Sequence, residues 1–264
     1  MGNQLASVDN FKAVLNSSDI KARLKNSLKN NWSQFATSML DLYSGDSYLQ
    51  KCDPYAVAVE CVKAATLNLP ISKSLGFAYV VPYKNAPTFT IGYKGLIQLA
   101  QRTGQYKTIN ADVVYEGELK GHDKLSGMID ISGEKTSDDV IGYFAYFQLV
   151  NGFEKMLYMS KTEVEAWKNK YSPSATSGYS PWKTEFDKMA LKTCLRRLIS
   201  TYGIMTTEMT TALESDNSGT TPQQRAEEKV QSNANSTFVD IDQNTGEVKV
   251  PETTEQAVQS SPEF

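Results

Sequence analysis

The sequence predicts an α+β fold: an antiparallel sheet with β-hairpins packed by flanking helices, plus a disordered acidic C-terminal tail. Three observations carry that expectation. Val150-Asn151-Gly152-Phe153 sets an Asn-Gly turn between two strand-like runs, the strongest short hairpin signal in the chain. The strand-like runs are flanked by helical patterns with recognisable starts: Asp53-Pro54, the Ser160-Lys161-Thr162-Glu163 capping box and Ser180-Pro181. Beyond Gly203 the composition shifts to Thr, Ser, Gln, Asn and Glu, which cannot bury a core.

In chain order, residues 8–17, 19–30 and 33–44 read as short helices, the second capped by Ser18. That helix carries Lys21, Arg23, Lys25 and Lys29 around much of its circumference. It suits either a loosely held N-terminal arm (residues 1–31) or a surface for another subunit or a nucleic acid. The helix opened by Asp53-Pro54 is apolar enough to be buried. Residues 75–82 and 88–93 read as two strands joined across the turn holding Lys84, with Phe77, Tyr79, Val81 and Tyr83 on one face. Such a stripe is either core or a platform for stacking bases. Residues 109–116, 125–132, 140–150 and 153–159 continue as strands, with 140–150 apolar on both faces as in a central strand. A helix follows the capping box, with Val164, Trp167 and Tyr171 inward, and a continuous long helix runs from Ser180 to Tyr202. A folded core is thus expected over 32–204, a disordered linker over 205–235, and an acidic tail with a short docking peptide (238–248) over 236–264.

Charge is unevenly distributed. Residues 1–204 hold 24 Lys+Arg against 19 Asp+Glu, a net +5, whereas 205–264 hold 3 against 11, a net −8. There is no run long and apolar enough for a membrane span and no charged-then-apolar leader, so a cytoplasmic protein without membrane partners is expected. Cys52, Cys61 and Cys194 lack both paired spacing and disulfide density, and the only histidine, His122, sits in a Gly/Asp/Lys-rich turn. A His-based metal site or triad is therefore not expected. Neither a Gly-Lys dipeptide nor Gly-x-Gly-x-x-Gly occurs, which removes the phosphate-cradling loops of ATP and dinucleotide enzymes. No cofactor is expected.

The candidate binding surface centres on residues 91–107. On a helix, Tyr93, Leu96, Ile97, Leu99 and Ala100 gather on one side, with Lys94, Gln98, Gln101 and Arg102 on the other. Gly104 suits the left-handed residue that ends such a helix, and Tyr106-Lys107 follows. No carboxylate occurs from Gly92 to Asn110, a gap that in an acidic protein suits a bound anion. In the long helix Lys188, Lys192 and Arg196 stand at i, i+4 and i+8, with Arg197 adjacent and Glu185 placed to pair with Lys188 or Lys192. Each stripe alone could be solvated surface; together they can neutralise phosphates, and nearby tyrosines and glutamines can hold bases or sugars. The candidate DNA contacts are Lys94, Gln98, Arg102, Lys107, Lys188, Lys192, Arg196, Arg197, Tyr79, Tyr93 and Lys84. A rival reading takes Asp112, Glu118 and Lys120 as a metal-dependent nuclease set, and another makes the protein only a coat for single strands.

Leu69-Pro70, Leu75-Gly76-Phe77-Ala78-Tyr79-Val80-Val81-Pro82-Tyr83, Ile91-Gly92-Tyr93-Lys94-Gly95-Leu96 and a downstream block from Trp182 through Met189-Ala190-Leu191-Lys192-Thr193 to Leu195-Arg196-Arg197-Leu198 resemble the signature blocks of the RecT family of phage single-strand annealing proteins. The likeness spans about residues 32–202. It departs at Phe77, where the family more often carries His, so a polar role is not carried over there. The resemblance implies ATP-independent pairing of complementary strands, rings or filaments of a homo-oligomer with single-stranded DNA and then annealed duplex in a basic groove, and a partner 5′→3′ exonuclease. It also suggests that the acidic tail docks that exonuclease or the host single-strand binding protein.

Overall fold

The computed structural model describes residues 2–83, 86–172, 180–215, 240–241 and 248–249. Chain segments divide into two compact units, 1–220 and 221–264. In the second, β8 (Asp240–Ile241) pairs antiparallel with β9 (Val248–Lys249); the rest of the expected docking peptide, the expected linker from 216 to 235 and Lys84 lie outside the described residues.

The first unit opens with helices α1 (Gly2–Asn16), α2 (Ser18–Leu28), α3 (Trp32–Ser44) and α4 (Pro54–Thr66). The expected caps operate, shifted by one residue for α2: the Ser17 hydroxyl accepts from the Ile20 amide, and the Asp53 carboxylate accepts from the Ala56 amide with Pro54 in the first turn. Helices α1 and α2 contribute to the core from Phe11 onward. Phe11, Ile20 and Leu24 are fully buried, and Phe11 stacks on Tyr43 with ring centroids 4.1 Å apart. Three apolar positions on the inner face of α2 explain this, since its cations occupy only the remaining arc.

Strands β1 (Ala78–Tyr83) and β2 (Ala86–Ile91) form an antiparallel hairpin with Tyr79 opposite Thr90. Ala78, Val80, Phe89 and Ile91 face the core, whereas Phe77, Tyr79, Val81 and Tyr83 remain half-buried on the other side. From α4, the Glu60 carboxylate accepts the Phe89 amide at 2.7 Å, so a helix side chain satisfies an edge donor of the hairpin. Helix α5 (Tyr93–Arg102) leads into a three-stranded antiparallel sheet ordered β3 (Tyr106–Tyr115), β6 (Val140–Leu149), β7 (Glu154–Ser160). Gly152, at φ +89°, makes the predicted β6–β7 turn.

The expected strand over 125–132 is instead part of a small hairpin, β4 (Gly121–His122) with β5 (Ile129–Asp130). The Asp123 carboxylate accepts from the amides of Leu125 and Ser126 and from the Ser126 hydroxyl, which curls residues 123–127 into a loop. Helix α6 (Lys161–Tyr171) begins at the predicted capping box, with both reciprocal bonds formed. The expected single long helix is divided into α7 (Pro181–Thr184) and α8 (Phe186–Tyr202) by Glu185, at φ −143° and ψ 50°. The restart puts Asp187 in the first turn of α8, where the helix dipole favours a carboxylate, and that carboxylate accepts the Tyr143 hydroxyl at 2.6 Å. Helix α9 (Thr207–Ser215) occupies the beginning of the stretch expected as linker, held by buried Met209, Ala212 and Leu213.

Inner residues Tyr143, Ala145, Phe147 and Leu149 of β6 meet Ala190, Cys194, Leu195, Leu198 and Ile199 of α8 in the main core. All three cysteines are unpaired and buried, and burial pushes the Cys194 thiol up to about 12. No helix among the described residues is long and apolar enough to cross a membrane.

Removing the fully buried Phe11 ring by Phe11→Ala should cost about 3–5 kcal/mol. Urea unfolding should report that loss in one cooperative transition with the rest of residues 1–220; a separate, earlier transition would show that the N-terminal helices are an independent arm.

Candidate nucleic-acid interface

The site is built on a close approach of two backbones. The segment 75–77 crosses the first turn of α5, and the Gly92 amide donates to the Phe77 carbonyl at 2.9 Å. A side chain at Gly92 would run into the Gly76 carbonyl, and one at Gly95 into the Phe77 carbonyl. Gly76 itself has φ +79°, which favours glycine. These glycines therefore let Leu75-Gly76-Phe77 lie directly on the helix.

Above Gly76 the Tyr79 hydroxyl and the Lys94 methylenes converge: a Cβ placed on Gly76 would sit 3.4 Å from Tyr79 Oη and 3.5 Å from Lys94 Cδ. Helix α8 packs on α5 and brings Lys188 into the electrostatic surroundings of both Tyr79 and Tyr93. Burial raises the Tyr79 hydroxyl above its ordinary value, while Lys188 opposes that rise, so at neutral pH it stays a hydrogen-bond donor. Lys188 pairs with Glu185 at 2.7 Å, but both side chains are more than half exposed. An exposed pair is worth about 0–1 kcal/mol and can give way to a phosphate. Gln98, one turn beyond Lys94, is half-buried, and its amide oxygen has no protein partner.

Tyr79, Tyr93, Lys94 and Lys188 thus come together, with Gln98 adjacent on the helix. Other predicted residues go elsewhere. Arg102, at the far end of α5, donates to the Leu67 and Asn68 carbonyls at 2.6 and 2.7 Å and so closes the C-terminus of α4. Lys192 is only 5% exposed and partnered inside the protein. Arg196 donates to the Leu213 carbonyl of α9 at 3.4 Å. Arg197 lies over the Trp167 ring, 4.6 Å from its centroid, and donates to the Met159 sulfur. Lys107 is exposed at the start of β3.

Arg197 also lines an open cleft of about 360 Å³ with Met159, Glu163, Trp167, Lys170 and Tyr171. The inward assignment of Trp167 and Tyr171 hid this cleft; their i, i+4 spacing beside Lys168 and Lys170 was the available signal. A second missed signal is that the carboxylate-free stretch extends beyond Gly92–Asn110, from Cys61 to Ala111, and contains six Lys+Arg.

The two carboxylates of the nuclease reading are occupied locally. Glu118 accepts the Tyr115 amide at 2.7 Å and Asp112 accepts the Val113 amide at 2.8 Å. Among the described residues no three His, Cys, Asp or Glu side chains are grouped so as to hold a metal ion.

An α+β core in which Tyr79 of the hairpin, Tyr93 of α5 and two helix lysines meet over a glycine-lined backbone floor presents the elements of a nucleic-acid-binding protein. Comparison with known proteins identifies the class more closely: the RecT family model matches residues 25–232, and the chain belongs to the RecT family, the single-strand annealing proteins of phage-type DNA recombination. Membership implies binding of single-stranded DNA and oligomerisation. The chain is 46% identical over 204 residues to an uncharacterized Bacillus subtilis (strain 168) protein, YqaK, covering 77% of this chain and 70% of that protein. It is 31% identical over 163 residues to Protein RecT of Escherichia coli (strain K12), covering 57% of this chain and 58% of that protein.

If the backbone crossing positions the site, Gly95→Ala should weaken single-stranded DNA binding without removing a charge, because the added methyl must displace the Phe77 carbonyl. Overpacking of this kind costs about 1–3 kcal/mol in stability. Unaltered affinity in a folded Gly95→Ala protein, measured by fluorescence anisotropy, would separate the crossing from binding.

Proposed function

We propose that the protein anneals complementary DNA strands without ATP. It holds a single strand on the Tyr79/Tyr93/Lys94/Lys188 face, in rings or filaments whose neighbouring subunits extend that face into a basic groove. The meeting of lysines from α5 and α8 over the Gly76 floor carries this reading, and family membership supports it. Lys94 and Lys188, with Lys107 further along, bind phosphates; Tyr79 and Tyr93 support bases or sugars, a combination indifferent to sequence. Arg102, Lys192, Arg196 and Arg197 contribute positive potential while stabilising the fold that carries the face. Lys84, which follows Tyr83 in the sequence, is proposed as a further phosphate contact.

A strand held at several points along an array is already extended, and the screened backbone lets a second strand sample register beside it. No covalent bond is made or broken, so the protein is not an enzyme in the usual sense. It acts in the bacterial cytoplasm on ends resected by a 5′→3′ exonuclease, with the −8 tail as the docking element for that exonuclease or for the host single-strand binding protein.

Two labelled complementary oligonucleotides, mixed without nucleotide after the protein has been added to the first, should pair much faster than they do alone. Strands that are bound but pair no faster would overturn annealing and leave a coating protein. Lys94→Ala with Lys188→Ala should reduce affinity for single strands at low salt. If each lysine neutralises one phosphate, the slope of log K against log salt should become shallower by about 0.7 per lysine.

A further inference from the structure

The β4–β5 hairpin does not fit a DNA contact. Residues 116–139 carry seven Asp+Glu against three Lys, a net −4. Its tip is apolar: Leu125 is 95% exposed, with Met128 and Ile131 also exposed. The tip is also held in place. Beyond the Asp123 bonds, the Lys155 ammonium donates to the Ser126 carbonyl and the Ile129 amide donates to the Met156 sulfur. The hairpin lies beside the outer face of the sheet, where Phe144, Tyr146 and Tyr158 are half-buried; α8 and α6 cover the opposite face, since Arg197 of α8 bridges Trp167 and the inward Met159. An ordered apolar tip in a carboxylate field repels DNA and the acidic tail alike.

A complementary surface exists elsewhere on the same chain. Residues 20–31, spanning most of α2, hold four Lys+Arg and no carboxylate. Arg23 is paired with Asp19, leaving Lys21, Lys25 and Lys29 to dominate the outward arc. Lys25 stands 5.2 Å from the centroid of the half-exposed Trp32 ring, while at the other end of α2 the exposed Tyr55 donates its hydroxyl to Asp19. The Trp32 ring is thus an aromatic surface edged by an ammonium group.

We infer that the acidic, Leu125-tipped hairpin of one copy docks on the basic α2 face of a second copy. The two surfaces differ, so the contact is head-to-tail and generates rings or open filaments rather than a closed two-fold dimer. Opposite charge sets partner choice and register, while Leu125 against the Trp32 region supplies the apolar centre. The inference rests on the oligomerisation implied by family membership and is independent of which residues hold DNA.

Two variants test it by disabling opposite ends. Leu125→Asp leaves the α2 face intact, and Lys21→Glu with Lys25→Glu leaves the hairpin intact. Light scattering should show that each raises the protein concentration at half-assembly about tenfold or more. Both changes lie on exposed or partly exposed positions, so thermal unfolding should be little altered. Mixed together, the two should form a one-to-one heterodimer that grows no further, because only one competent contact remains. Normal assembly of either variant, or failure of the mixture to dimerise, would overturn the proposal. Unmutated protein that assembles through this contact but pairs complementary strands no faster than they pair alone would count against the proposed function and leave this contact standing.

Discussion

The candidate interface depends on one steric constraint: the backbone of residues 75–77 lies against the first turn of α5 at a distance that tolerates no side chain at Gly92 or Gly95. Everything else at the face follows from it. The crossing fixes the direction in which β1 leaves, which brings Tyr79 back over Gly76 to meet the stem of Lys94. It also buries the inner side of α5, where Leu96, Leu99 and Ala100 are almost fully enclosed. With that side committed to the core, Lys94 and Gln101 must point outward. The packing of α8 then adds Lys188 from a region 94 residues further along the chain, by the numbering of the two lysines.

The division of labour among cations follows from where carbonyls lack partners. Helix α4 ends at Thr66 with terminal carbonyls that α4 itself cannot satisfy. Arg102 supplies a planar fork to the Leu67 and Asn68 carbonyls just beyond it, a geometry that a lysine ammonium would not reproduce. Arg196 and Arg197 likewise tie α8 to α9 and to the α6–β7 corner. The three arginines of the candidate set therefore hold elements together, and the lysines Lys94, Lys107 and Lys188 stay exposed. Flexible, strongly hydrated ammonium groups suit phosphate contacts that must form and break.

Much of this was legible in the sequence because the signals are local. The Asn151-Gly152 turn, the Ser160 capping box, the Asp53-Pro54 start and the two-sided apolarity of β6 each involve neighbours within a few residues. What was not legible depends on distant partners. Periodicity placed Lys192 on a cationic stripe, but whether a stripe meets water or a neighbouring helix is decided by tertiary packing, and Lys192 is enclosed. The break at Glu185 carries no proline or glycine to announce it. Helix α9 offers only Met209, Ala212 and Leu213 among threonines and glutamates, too weak a pattern to stand out until α5 and β2 provide a surface for it. The 123–127 loop was missed because the Asp123 side chain, rather than a Gly-Asn type turn, closes it.

The small number of lysines exposed on the candidate face bears on how an annealing protein of this kind would work. Each phosphate neutralised contributes to affinity, and the contribution falls with salt. A subunit offering only a few such contacts binds a strand weakly, and an array of subunits binds it strongly through effective concentration while each individual contact remains easy to release. Weak local contacts let a second strand shift register until it pairs; strong ones would lock mismatched alignments. Under the proposed function, affinity therefore resides in assembly and mobility resides in the subunit. In that reading, the arginines consumed by internal contacts keep the subunit's grip on DNA small, and the proposed pairing of the β4–β5 hairpin with the α2 face would build the array without drawing on the lysines proposed to face DNA.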